Sequence, residues 1–153
     1  MIQQSVNQLL STAGIIGRLS PSFERRQEAK VALGKATAAQ QGLSDIEKNL
    51  VNPEKQYTET ELRDIQGRVA EHNRNIYDAK TMAIKGHPNY KYAKDGVAQL
   101  PKQEEYTAML GNIEKGIADK RQQAMIRMAS KAKAELSQNE LFRKYYNQIM
   151  GGE

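Results

Sequence analysis

At 153 residues the chain is long enough for one domain, but only 29 residues are Leu, Ile, Val or Phe, Trp is absent and mean hydropathy is −0.75, so the core is thin for the length. The 23 basic and 18 acidic residues leave a net charge of +5 scattered in both signs, the pattern of solvated helix faces and not of a dedicated nucleic-acid footprint. The absence of Cys excludes disulfides and thiolate metal sites, the opening lacks the basic n-region of a signal peptide, and no apolar run approaches the roughly 18 residues that span a bilayer.

Residues 1–19 place Ile2, Val6, Leu9, Ala13 and Ile16 in alternating steps of four and three, with Leu10, Ile15 and Leu19 widening the stripe. That spacing predicts a helix with a coiled-coil-like seam. No charge precedes Arg18, so much of its circumference can be buried without stranding an ion. Two readings stand side by side here: a helix that docks on a partner, and a first helix folded onto its own domain.

Ser20-Pro21 restarts the chain, Ser as a favoured N-cap and Pro at the first helical position where its missing N–H costs nothing. A helix over about 21–51 follows, with the seam Ala29, Ala32, Ala36, Ala39, Leu43, Ile46 and Leu50. Gly34 and Gly42 lie inside it and each costs up to about 1 kcal/mol relative to Ala, which calls for tight packing or a bend. Val51-Asn52-Pro53 ends it. Thr58 and Glu61 then form a capping box flanked by Tyr57 and Leu62 at the staple positions, opening a helix over about 59–85 with the seam Leu62, Ile65, Val69, His72, Ile76, Ala79 and Ala83. Gly86-His87-Pro88 stops it. Segment 20–85 is thus expected to be a helical hairpin.

Residues 86–101 read as an irregular basic-aromatic loop. Tyr90 and Tyr92 alternate with Lys91, Lys94 follows, and Asp95-Gly96 is a turn signal around which a small hairpin could form. Tyr90, Lys91, Tyr92 and Lys94 combine stacking faces with phosphate-seeking charge, but so little charge accompanies the aromatics that protein contact is the favoured reading and nucleic acid the secondary one. The region 102–153 is helical again, with Tyr106, Leu110, Ile113, Ile117, Ala124 and Met128 on a stripe that drifts into Ala129, Ala132 and Leu136. Ser137 and Glu140 form a second apparent capping box, so a short separate helix is expected from about 138. The fold class is therefore all-α, long amphipathic helices forming an antiparallel hairpin or bundle with extended arms.

Candidate chemistry is sparse. His72 in its apolar seam reads as a hydrogen-bonded register residue and not as a base or ligand, and His87 as a loop residue. Gly111 and Gly116 have the separation of a phosphate-binding loop, but Ile117 and Ala118 stand where Lys and Ser/Thr are required. Glu59, Glu61, Glu104 and Glu105 fall in first helical turns, where the helix dipole favours them. The residues point to no catalytic, cofactor or metal site. The seams, namely Ile2, Val6, Leu9, Leu10 and Ile16 in the first helix, Ala36, Leu43 and Ile46 in the second, and Ile65, Val69, His72 and Ile76 in the third, are expected to meet helices of other protein chains.

The opening Ile2-Gln3-Gln4-Ser5-Val6-Asn7-Gln8-Leu9-Leu10, then Ala13-Gly14 and Arg18-Leu19-Ser20-Pro21, followed by a charged, Ala-rich helix, resembles the start of small helical proteins encoded among the virion genes of tailed phages of gut Bacteroidales, the crAss-like group. The resemblance covers about the first 35 residues and carries no catalytic residues. It implies a structural or internally packaged virion component near portal and tail, located in the particle or otherwise in the host cytoplasm, acting by helix packing in an oligomer or mixed assembly. The alternative is a nucleic-acid-associated helical protein lying close to the packaged genome.

Overall fold

The computed structural model describes residues 21–151. Of these, 85% are helical, in four helices without a strand among the described residues: α1 Pro21–Val51, α2 Glu59–Met82, α3 Tyr90–Ala98 and α4 Gln103–Met150. The seam expected at residues 1–19 lies outside the described residues.

Helices α1 and α2 form the antiparallel hairpin that their spacing predicts. Helix α1 ends where Asn52-Pro53 forbids continuation. Helix α2 starts on the expected capping box, Thr58 Oγ1 accepting from the Glu61 N–H at 3.1 Å while the Glu61 carboxylate accepts from the Thr58 N–H at 3.2 Å. It stops at Met82 rather than near residue 85, and Gly86 takes a positive φ of 95° three residues past the Ala83 cap, a conformation that favours glycine. The two seams close on each other. Ala36, Leu43, Ile46 and Leu50 of α1 and Leu62, Ile65, Ile76 and Ala79 of α2 are buried in one cluster, with Val69 and Tyr57 packed against it.

The small residues of α1 are used unequally. A Cβ on Gly42 would lie 2.5 Å from His72 Nε2, so that glycine makes room for the imidazole, whereas nothing lies within 4 Å of a Cβ on Gly34. Tight packing therefore accounts for Gly42 and not for Gly34. His72 packs against Gly42, and no hydrogen bond joins it to another described side chain, contrary to the expectation of a bonded seam residue.

Two boundaries differ from the sequence reading. The stretch 86–101 is not a loop: it carries α3, and Asp95-Gly96 lies inside that helix with no hairpin around it. The turn signal yields because Gly96 meets α1 so closely that a Cβ there would fall 2.5 Å from Leu33 Cδ1. Position 96 needs glycine for close approach, not for a turn. The governing pattern is Asn89, Ala93 and Val97 at steps of four, with Asn89 and Ala93 buried.

In the C-terminal region α4 runs unbroken through Ser137–Glu140, with no separate helix from about 138. From Ile117 to Met150 there is no Gly or Pro, and the Ala, Lys, Glu and Leu preceding Ser137 are strong helix formers. The continuing helix leaves no free N–H groups at Ser137 for a cap to satisfy.

Candidate interaction surface

Helix α4 begins as a member of the bundle. Tyr106, Ile113 and Ile117 join the core, and Gly116 lies against Leu50. The Tyr106 hydroxyl donates to Asn73 Oδ1, Lys80 Nζ sits 4.5 Å from the ring centroid, and burial raises the hydroxyl pKa. Farther along, the buried Lys120 ammonium donates at 2.7 Å to both the Asn52 and the Lys55 carbonyl oxygens, tying α4 to the α1–α2 connection. Arg121 Nε donates to Glu59 Oε2 at 2.8 Å, and Arg127 Nη2 to the Tyr57 carbonyl at 3.2 Å.

Among the described residues Arg127 is the last tie. Every residue from Met128 to Met150 is exposed, an arm of about 35 Å at 1.5 Å per residue. Its apolar content is not slight: Met128, Leu136, Leu141, Phe142, Tyr145, Tyr146, Ile149 and Met150 are each more than half exposed. Phe142 and Tyr146, one turn apart, stack at 6.3 Å between centroids.

These side chains form two stripes. Met125, Ala129, Ala132 and Leu136 follow one another at steps of four and three, and so do Phe142, Tyr145 and Ile149 with Tyr146 beside them. At 3.6 residues per turn the second stripe is rotated by roughly 120° from the first. One straight partner helix can cover one stripe but not both. Lys131, Lys133, Arg143 and Lys144 outnumber Glu135 and Glu140 along the arm, so its complement is an apolar groove with an acidic rim.

The structure redistributes the residues singled out from sequence. Ala36, Leu43, Ile46, Ile65 and Ile76 are buried by the chain's own helices, with Val69 and His72 half-buried beside them, so the partner helix expected at those seams is the other arm of the same hairpin. Ile2, Val6, Leu9, Leu10 and Ile16 lie outside the described residues. Spacing alone does not mark the arm as a surface, because its apolar residues form a drifting stripe followed by the pattern of a short separate helix.

Tyr90, Lys91, Tyr92 and Lys94 are brought together, but on a helix. Arg26 stands 5.4 Å from the Tyr92 ring centroid, Lys91 5.9 Å from the same ring, and Lys94 5.8 Å from Tyr90. Cations of the chain itself thus stand within cation–π range of both rings. Among the described residues no group of three His, Asp or Glu side chains is placed to hold a metal ion, and no helix is long and apolar enough to cross a membrane. Compared with protein-family models, with curated proteins and with solved structures, the chain finds no match.

Proposed function

We propose that this protein is a structural component of a multi-chain assembly, a tailed-phage particle on the reading that the N-terminal resemblance implies, and that it joins its neighbours by helix packing through the arm of α4. The observation that carries this is the arm itself: six turns of helix with large apolar side chains at helical spacing and, among the described residues, nothing against them. An isolated amphipathic helix of this kind gains little from propensity alone and is stabilised chiefly when its apolar face is covered.

The bundle positions the arm and does not share its task. Lys120, Arg121 and Arg127 anchor the base of the arm to the start of α2 and the connection before it, so whatever covers the arm is held at a set angle to the bundle. The reading as a nucleic-acid-associated protein draws on the net charge and on α3, and it is the weaker one, since little charge accompanies the tyrosines and the nearby cations already lie against their rings.

The test is particle incorporation. The full chain and a variant carrying Phe142→Ser, Tyr146→Ser and Ile149→Ser are produced during assembly, and purified particles are quantified by mass spectrometry. The expected result is stoichiometric incorporation of the native chain, loss of the variant from particles by tenfold or more, and equal melting temperatures for the two purified chains. Equal incorporation of both chains, or absence of both from particles, overturns the reading.

A further inference from the structure

The α1–α2 hairpin has two sides, and the described residues fill only one. On α1, Arg26, Leu33, Gln40 and Glu47 recur every seven residues and meet Tyr92, Gly96, Met109 and Asn112 of α3 and α4. On α2, Gln66, Asn73 and Lys80 recur likewise and meet Arg121, Tyr106 and Gln103 of α4. Two positions farther along each helix, about 200° around it, lies the other side.

That side is an open groove of about 460 Å³ between the first half of α1 and the last turns of α2. Val31, Ala32 and Met82 supply its apolar lining, and Glu28, Lys35 and Asp78 its charges. Val31 is 55% exposed although Ala29 and Ala32 around it are buried. Gln27 on α1 and Asn75 on α2 complete its lining, and Glu28, Val31, Lys35 and Asp78 are exposed.

We propose that residues 1–19 fill this groove as a helix antiparallel to α1, completing a four-helix bundle. Three observations select this occupant. It is already tethered: 20 residues precede Pro21, and the groove opens at Gln27, less than two turns into α1. Its length fits, since 19 residues of helix reach about 28 Å, back along α1 past Lys35. Its chemistry fits as well, because the seam of Ile2, Val6, Leu9, Ala13 and Ile16 can cover Val31 and Met82 while the exposed Glu28, Lys35 and Asp78 keep their charges in water at the rim. Ser20 and Pro21 supply the corner of a short αα connection. Equal distances from that corner set Leu9 beside Val31 and Val6 beside Gly34 and Lys35.

The inference is independent of the role of the arm, and it removes Ile2, Val6, Leu9 and Ile16 from the surface available to partners. Cysteine cross-linking tests it cleanly, because the chain has no Cys of its own. The full chain with Leu9→Cys and Val31→Cys is oxidised under dilute conditions and compared with Leu9→Cys and Lys30→Cys, where Lys30 is also exposed but turned about 100° away. A second pair, Val6→Cys and Lys35→Cys, covers a shift of register. The substituted positions of α1 are all exposed, so the hairpin core stays intact.

The expected result is an intramolecular disulfide in at least one groove pair, read by mass and by non-reducing electrophoresis, forming tenfold or more faster than in the Lys30 control. Rates equal to the control in both groove pairs overturn the proposal. Disulfide-linked dimers as the main product do so too, and identify a second copy as the occupant.

Discussion

The two halves of α4 carry similar amounts of large apolar side chain, seven in the 25 residues 103–127 and eight in the 23 residues 128–150. Only the first half buries any of it. Composition therefore does not explain why the arm is bare; the length of the hairpin does. Helices α1 and α2 offer a surface that ends at the α1–α2 connection, and α4 passes that end at Lys120 and continues. Two kinds of apolar side chain result within one helix, one buried against the hairpin and one left exposed by the described residues.

The largest expected effect sets these two kinds against each other. Leu43, fully buried where the hairpin seams meet, should cost about 2–5 kcal/mol when replaced by Ala, from lost transfer free energy and the cavity left behind. Phe142→Ala and Ile149→Ala, each at more than two-thirds exposure, should change the stability of the dilute isolated chain by no more than about 0.5 kcal/mol. Urea unfolding followed by circular dichroism measures all three. A cost at Phe142 comparable to that at Leu43 would show that the arm packs against its own chain, and would dissolve the contrast.

A finer version uses two glycines of α4 itself. A Cβ on Gly116 would stand 2.9 Å from Leu50 Cβ, an atom fixed to the α1 backbone that cannot rotate aside. Gly116→Ala therefore forces the two helices apart, at about 1–3 kcal/mol. Gly111, one and a half turns earlier and open on every side, should gain up to about 1 kcal/mol as Ala from helix propensity alone. Opposite signs in paired thermal melts confirm that α4 lies close on Leu50; equal signs would mean that it does not.

Much of the bundle was legible because it rests on spacing. The hairpin seams, the Thr58–Glu61 cap and the stop at Pro53 are all local patterns whose physical causes act within a few residues. What failed were positions where a long-range contact overrides a local signal. Asp95-Gly96 looks like a turn until Leu33 is known to press on Gly96, and Ser137 with Glu140 looks like a cap until the uninterrupted helix formers around them are weighed. Which chain covers a seam was not legible either. Alternating steps of three and four reveal a sticky stripe but carry no information about what lies opposite it, so the hairpin seams could be taken for intermolecular ones and the intervals of the arm passed over.

The smallest expected effect lies at the boundary between the two regions. Glu59 accepts hydrogen bonds from Arg121 Nε at 2.8 Å and from Arg63 Nε at 3.2 Å, joining the first turn of α2 to α4 just before the arm leaves. The Arg121 hydrogen bond, foremost, holds the carboxyl pKa below its ordinary value. A carboxyl whose pKa is lower in the folded state than in the unfolded one stabilises the fold above the unfolded value, and that contribution is lost as pH falls through the folded value. The pair is exposed to water, which keeps the effect small and salt-sensitive. Wild type should thus exceed Glu59→Gln slightly in stability at neutral pH, and the difference should close on acidification through the carboxylate range and shrink in high salt. A difference that survives both treatments would mean that Glu59 acts through packing. One as large as that of Leu43→Ala would mean that the junction, and not the hairpin core, is what keeps the first half of α4 unlike the second.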